Sequence, residues 1–447
     1  MSDTRRILAQ DAFISNDTRA TGINNNDLII GPSGAGKTRG YVQPNLLQCS
    51  GSMVIADTKG SLIGTFGPHL RRCGYRVIHV DFTDTLHSDG YNPLDYIRYD
   101  SRRGQFLEQD INTLCAALVP LGDERDRFWQ ESARMLLACL VGYVLDVLPP
   151  EEHTLEYVVK LFTAQDPCGA GQPRRVFHQL LRELAQERPD CFAARQYQLY
   201  SVLQGTERTD ASVQAFVSRA LSPLSYDGPV RMYSAPDRIR FQTLGQEKTA
   251  VFLTVSDTDR SMDGLVNLFY TQALQALCAS ADRDYPDHRL PVPVRLILDD
   301  FATNACIPDF DKIISVIRSR EISVSIILQS ISQLDSVYGH SASMTIINNC
   351  DNCLYLGGQD VETARYIAAK ANKTADTILN MPLDQAYLFT RGQKGRLVRK
   401  FDIRTHPDYP ALAADAPAAG ARMRRPLRKP APVPPVPEGD GRVPDPE

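Results

Sequence analysis

Residues 27–39 read Asp27-Leu28-Ile29-Ile30-Gly31-Pro32-Ser33-Gly34-Ala35-Gly36-Lys37-Thr38-Arg39. An apolar run leads straight into a complete Gly-x-x-x-x-Gly-Lys-Thr loop, so the stretch predicts a strand, a phosphate-cradling loop and a helix in that order. Gly31, Gly34 and Gly36 let successive backbone N–H groups wrap a phosphate chain. The helix beginning near Lys37 aims the positive end of its dipole at the same place. Lys37 is expected to neutralise the outer phosphates and Thr38 to offer its hydroxyl to Mg²⁺. The expected nucleotide-binding set is Gly31, Pro32, Ser33, Gly34, Ala35, Gly36, Lys37, Thr38 and Arg39, with ATP and Mg²⁺ as the implied ligands.

A phosphate loop binds nucleotide, but hydrolysis also needs a metal-holding carboxylate on a neighbouring strand and a group that orients water. Val294-Arg295-Leu296-Ile297-Leu298-Asp299-Asp300 reads as a buried strand ending in two acids. Asp299 is placed to hold Mg²⁺ together with Thr38, and Asp300 to polarise the attacking water. The next apolar run, Ser325 to Leu328, ends at Gln329, which is expected to sense the γ-phosphate. Between these strands, Ile313 to Glu321 reads as a helix ending Arg318-Ser319-Arg320. Those arginines either complement the helix dipole or, in an oligomer, reach a neighbour's site and stabilise transition-state charge.

Other short β-branched runs bounded by turn residues are Met53 to Ala56, Arg76 to Val80, Ala250 to Val255 and Leu354 to Leu356. With Leu28 to Ile30, Val294 to Leu298 and Val324 to Leu328, they read as buried parallel strands. Helical patterns lie between most of them, which predicts an α/β fold with right-handed βαβ units in one doubly wound, mostly parallel sheet. The interval from Ser101 to Leu224 carries no convincing strand. It does show amphipathic helical spacing, as in Phe128, Met135, Leu136, Cys139, Leu140 and Tyr143.

The expected organisation is a polar N-terminal segment (1–24), a discontinuous nucleotide-binding domain (25–100 and 225–410), an inserted all-α domain (101–224) and a tail (411–447). Nine of the last 37 residues are Pro, beside the basic group Arg422, Arg424, Arg425, Arg428 and Lys429. That composition predicts a disordered, extended tail. Phe128-Trp129 reads as a core anchor for its helix rather than a stacking surface.

At 447 residues and 43% hydrophobic, the chain can bury a large core. A net charge of −4 gives no global signature of nucleic-acid binding, though a local basic channel is compatible with it. The longest apolar stretch, Met135 to Leu145, is short of the ~20 residues a bilayer requires, and the polar N-terminus lacks a secretory signal. Cytoplasmic residence is the expectation. Ten cysteines are scattered without a framework. Cys350 and Cys353 have metal-like spacing, but with no second ligand pair following they read as core thiols.

Taken together these motifs resemble the TraG/TraD-type coupling ATPases of conjugation and type IV secretion, members of the RecA-like FtsK/HerA motor group. The likeness rests on the Gly31–Thr38 loop; Ala56-Asp57-Thr58-Lys59-Gly60, similar to the family's Asp-Pro-Lys-Gly; Tyr91-Asn92-Pro93-Leu94; and Phe128-Trp129 opening the helical insert. It continues through Leu298-Asp299-Asp300-Phe301-Ala302, Ile313 to Arg320, Gln329 to Leu334 and Asn349-Cys350-Asp351 before Leu356-Gly357. It runs in order from about Asn25 to Asp402.

The resemblance implies a RecA-like fold and a homo-hexameric ring with ATP at subunit interfaces and DNA in the central channel. It further implies that the helical insert recruits relaxase-bound DNA, and that the partners include type IV secretion channel proteins. Two departures stand out. Family members usually begin with transmembrane helices, which are not found in this sequence, so the expectation is either a soluble variant held at the cytoplasmic face by a separate membrane partner or a truncated form of a longer protein. Asp300 also stands where the family usually has Glu, which implies slow hydrolysis. The competing readings are an ATP-binding docking receptor with little or no turnover and an FtsK/HerA-like DNA translocase outside conjugation.

Overall fold

In the computed structural model the described residues are 5–121, 124–164, 176–205 and 207–415. Nine strands form one sheet: β1 (Asp27–Ile30), β2 (Ser52–Ala56), β3 (Arg76–Asp81), β4 (Thr249–Thr254), β5 (Val294–Leu298), β6 (Ile322–Leu328), β7 (Asn352–Tyr355), β8 (Gln385–Thr390) and β9 (Arg396–Arg399). From edge to edge the order is β9-β8-β7-β1-β6-β5-β2-β4-β3. Every pairing from β7 to β3 is parallel. The β7–β8 and β8–β9 pairings are antiparallel. The seven parallel strands are the seven β-branched runs of the sequence, and the architecture is the expected doubly wound α/β sheet.

The central strands carry uninterrupted apolar runs because both faces of the sheet are covered. Leu28, Ile29 and Ile30 are all fully buried. Leu28 and Ile30 enter one hydrophobic cluster and Ile29 the other, and Val54 opposes Met53 and Ile55 in the same way. Successive residues of a strand point to opposite faces, so an uninterrupted apolar run signals helices on both sides. The parallel order also places the C-terminal ends of β1, β5 and β6 side by side at one edge, where ligands of open α/β sheets bind.

Between β3 and β4 the chain forms helices, chiefly Glu108–Leu118, Arg127–Val147, Leu155–Thr163, Val176–Glu187, Phe192–Ser201, Glu207–Leu221 and Asp227–Tyr233. The Arg127–Val147 helix buries Ala133, Leu136, Leu137, Leu140, Val141 and Val144. Each such Leu or Val contributes about 1.5–3 kcal/mol on leaving water. It packs against the Phe192–Ser201 helix at Gly142, where a Cβ would stand 2.9 Å from the Phe192 ring and 3.2 Å from the Ala193 Cβ. No other residue permits that approach. The buried side chains of these helices are continuous with the cluster on one sheet face.

Several expectations need correction. Within the interval read as strandless, Gln105–Phe106 pairs with Tyr99–Asp100 in a short antiparallel hairpin. Phe128 is not a core anchor: it is 50% exposed, while its neighbour Trp129 packs against the core. Residues 411–415, assigned to the tail, complete a helix spanning Tyr409–Asp415, with Leu412 buried. The rest of the predicted tail, including its basic group, lies outside the described residues. The polar N-terminal segment contributes an antiparallel pair, Arg5–Ala9 with Ala12–Ser15. Among the described residues no helix is long and apolar enough to cross a membrane.

Candidate nucleotide site

The loop leaves β1 as the sequence implies. Gly34 and Gly36 adopt φ of 79° and 91°, the left-handed region that a side chain would strain. Gly31 is needed for a different reason: a Cβ there would stand 3.0 Å from both the Ala35 and Leu356 Cβ atoms. Pro32, Ser33, Gly34 and Arg39 lie exposed at the rim. The helix that follows opens with one wide turn over Thr38–Val42, in which the Gln43 N–H donates to the Thr38 carbonyl, and continues as an α-helix over Gln43–Leu47. Such widened turns concentrate at functional sites.

Lys37 is buried, and its ammonium donates to the Gly31 carbonyl at 2.8 Å and the Pro32 carbonyl at 3.4 Å. It stands 3.5 Å from the Asp300 carboxylate. The Thr38 hydroxyl donates to Asp299 Oδ2 at 2.9 Å. An octahedral Mg²⁺ with oxygens at 2.0–2.1 Å sets adjacent ligand oxygens about 2.9 Å apart, so this pair fits one edge of its coordination shell. Asp299 is held above the usual carboxylate range, first by burial and then by the charge of Asp300, with the Thr38 hydroxyl and Lys37 opposing. A divalent cation would relieve that penalty.

Asp300 has φ 49° and ψ 44°, a left-handed conformation that Asp and Asn tolerate better than other side-chain-bearing residues. The twist turns its carboxylate back between Lys37 and Gln329, whose Nε2 lies 3.4 Å from Asp300 Oδ1. Lys37, Thr38, Asp299, Asp300 and Gln329 therefore meet at one sheet edge.

Arg318 and Arg320 do not join them. They precede β6, while Gln329 follows it, so a seven-residue strand of roughly 20 Å separates them from the loop. The Arg320 guanidinium is engaged bidentately by Asp282 at 2.9 and 2.8 Å. Arg318 donates to the Gly22 carbonyl at 3.3 Å.

Other residues support the loop and were not foreseen. Lys400 donates to the Ala35 carbonyl at 3.0 Å and the Leu356 carbonyl at 2.9 Å, clamping the loop from the far end of the chain. Burial lowers the pKa of this ammonium. Asp57, within the Asp57-Thr58-Lys59-Gly60 motif, accepts from the N–H groups of Ser61, Leu62 and Ile63 and so caps the Leu62–Arg72 helix. Lys59 is exposed.

At the start of β1, buried Asp27 pairs with the Arg6 guanidinium, whose Nε stands 2.9 Å away, and accepts from the Tyr41 hydroxyl at 2.6 Å, Asn352 Nδ2 at 2.9 Å and Arg295 Nη1 at 3.4 Å. Tyr41 belongs to the first turn after the loop, so this network fixes the helix to β1 from below. Cys350 and Cys353 are buried, as their core reading required.

A parallel sheet with a phosphate loop on its central strand and an acid pair on a nearby strand defines the P-loop NTPases. Over residues 6–394 the chain matches the family described as type IV secretory system conjugative DNA transfer, and it belongs to that family. It is 24% identical over 401 residues to the conjugal transfer protein TraG of Escherichia coli, covering 84% of this chain and 59% of TraG. It is 24% identical over 351 residues to VirD4 of Agrobacterium fabrum (strain C58 / ATCC 33970), covering 76% of this chain and 48% of VirD4. The chain thus spans about half of the length of these relatives.

Among solved structures it is similar to the plasmid coupling protein TrwB in complex with the non-hydrolysable ATP analogue ADPNP. That match has a TM-score of 0.61 and 18% identity, covering 86% of each chain. TrwB in complex with ADP and Mg²⁺ gives a TM-score of 0.60 at 18% identity, covering 84% of this chain and 85% of that one. At such identity the likeness is one of fold.

Proposed function

We propose that this chain is an ATP-driven coupling protein that hydrolyses Mg-ATP to move DNA, recruiting relaxase-bound DNA to a conjugative type IV secretion system. One observation carries the reading: buried Lys37 is bonded to two loop carbonyls and faces Asp300, beside a Thr38–Asp299 pair spaced for a divalent cation. Phosphates offer Lys37 stronger, charged partners than carbonyls do. Family membership and the TrwB complexes with ADPNP and with ADP and Mg²⁺ support the same assignment.

On this reading Lys37 moves from the carbonyls to the outer phosphates, and Thr38 and Asp299 hold Mg²⁺, which supplies charge neutralisation. Asp300, released from Lys37, orients the attacking water. Gln329 reports the γ-phosphate to the Ile331–Tyr338 helix. A homo-hexamer would place Arg318 of one subunit in its neighbour's site; Arg320 is the weaker candidate because Asp282 already holds it. The helical segment would act as an inserted substrate-gathering domain. The chain would work at the cytoplasmic face of a membrane, held there by the secretion apparatus or a separate anchor.

The decisive experiment measures ATP turnover by the purified chain with and without single- and double-stranded DNA, across protein concentration, beside Lys37→Ala. DNA-stimulated turnover that rises with assembly and vanishes in the variant supports the motor. Contacts through phosphates also require DNA affinity to fall steeply with salt and to show little sequence preference. Asp300 in place of Glu favours one alternative, an ATP-binding docking receptor, and nucleotide binding without turnover under every condition would establish it.

A further inference from the structure

Away from the nucleotide site, Cys49, His69 and Cys73 converge. One ligand atom from each lies within 4.8 Å of the other two. His69 and Cys73 are four residues apart at the end of the Leu62–Arg72 helix and share a face. Cys49 arrives from the loop that ends the helix following the phosphate loop. Its backbone has φ 48°, a conformation that a residue with a side chain rarely adopts and that surrounding structure must enforce. That enforcement is visible: Lys248 Nζ donates to the Cys49 carbonyl at 3.0 Å, and the Tyr75 hydroxyl donates to the Gly51 carbonyl at 2.7 Å. The thiol is thus carried to the His–Cys pair by a rigid loop.

We infer that Cys49, His69 and Cys73 form a binding site for a thiophilic divalent metal ion of the Zn²⁺ type, which staples the end of the phosphate-loop helix to the end of the Leu62–Arg72 helix. The chemistry suits the donors, because two thiolates and an imidazole form a borderline-soft set that selects Zn²⁺ over Mg²⁺ or Ca²⁺. The spacing suits them too. Tetrahedral Zn²⁺ with Zn–S near 2.3 Å and Zn–N near 2.0–2.1 Å sets sulfur and nitrogen about 3.6 Å apart. Cys73 Sγ and His69 Nε2 are 3.6 Å apart.

Binding requires each thiol to lose its proton to solvent and His69 to carry its own on Nδ1. The Arg72 guanidinium, now 3.4 Å from Nδ1, must then turn away, as an exposed side chain can. Cys73 is exposed and Cys49 partly so, which leaves the fourth position open to water and gives the ion an entry path.

The test uses the reduced full chain without nucleotide and Co²⁺ as the probe. The expected result is one Co²⁺ per chain with a thiolate-to-cobalt charge-transfer band, displaced by one equivalent of Zn²⁺. Cys73→Ser, at an exposed position, and Cys49→Ser each lose the band and bind Zn²⁺ at least tenfold more weakly, whereas Cys306→Ser at another exposed thiol matches the parent. Any of three results would overturn the inference. They are no thiolate band in the reduced parent, a band that survives in both serine variants, and a Cys49–Cys73 disulfide that persists under thiol reductant and blocks metal uptake.

Discussion

Replacing Asp300 with Glu should accelerate ATP hydrolysis. The Asp300 carboxylate lies 3.5 Å from Lys37 and 3.4 Å from Gln329, at the back of the site. One added methylene advances it by about 1.5 Å. Misplacement of a reacting group by about 1 Å can cost on the order of 10² in rate, so restoring the reach should raise kcat by up to that factor, about 2.7 kcal/mol of barrier. A counter-effect is legible in the backbone. Asp300 sits at φ 49°, where Glu is less at home than Asp, and the left-handed region costs roughly 1–2 kcal/mol. That cost falls on folding, so Asp300→Glu should lower the unfolding temperature slightly while turnover rises. Steady-state phosphate release at saturating Mg-ATP measures the gain, and titration with a fluorescent ATP analogue shows whether binding has changed. Asp300→Asn, which keeps the backbone preference and removes the base, should lose 10² or more in kcat and still bind nucleotide. If Asp300→Glu turns over no faster than the parent at unchanged affinity, Asp300 does not position the water.

Arg318→Ala should lose turnover while keeping nucleotide affinity, and mixing it with Lys37→Ala should restore activity, because mixed interfaces then hold one intact lysine and one intact arginine. Failure of mixed samples to recover would place the arginine outside the neighbour's site. Asp27→Asn removes the shared counter-charge of the buried Arg6 and the partly buried Arg295, at an expected cost of about 3–5 kcal/mol, read as a shifted urea midpoint; a shift under about 1 kcal/mol would refute that account. Asp299 is held above the usual carboxylate range by burial and by Asp300, and it must ionise to hold Mg²⁺. Metal-dependent nucleotide affinity should therefore fall, as pH drops, at a higher pH than for an ordinary Asp. Asp300→Asn removes one of the two causes, so the acid limb of that affinity profile should move to lower pH; an unmoved limb would exclude coupling between the acids.

The phosphate loop and the acid pair were readable because their signals are local. Gly31 to Thr38 is a continuous stretch whose backbone demands particular residues, and an uninterrupted apolar run such as Leu28 to Ile30 identifies a strand covered on both faces. What escaped notice acts across sequence distance or through generic groups. Lys400 clamps the loop by donating to two backbone carbonyls, which leave no mark in the residue types they belong to. Of the antiparallel strands that close the sheet edge, β9 reads Arg-Leu-Val-Arg and lacks the apolar run of the central strands, whereas β8 carries a short one in Ala386 to Phe389. Phe128 was misread because an aromatic residue at helical spacing looks the same in a sequence whether its face is covered or open.

Asp300 shows where the two kinds of information must be joined. Its identity, one methylene shorter than Glu, was visible in the sequence. Its left-handed backbone was not, and the backbone decides where the carboxylate goes. Turned back from the strand end, it sits 3.5 Å from Lys37 and 3.4 Å from Gln329. On the proposed reading, in which nucleotide recruits Lys37 and Gln329, one acid holds both groups, and loading of ATP would release Asp300 in the same event. A coupled release of that kind requires Asp300→Asn to bind ATP more tightly than the parent, because Lys37 then has no carboxylate to leave. Equal affinities in the two proteins would mean that the contact between Lys37 and Asp300 contributes nothing to the resting site, and that the two acids act independently of nucleotide entry.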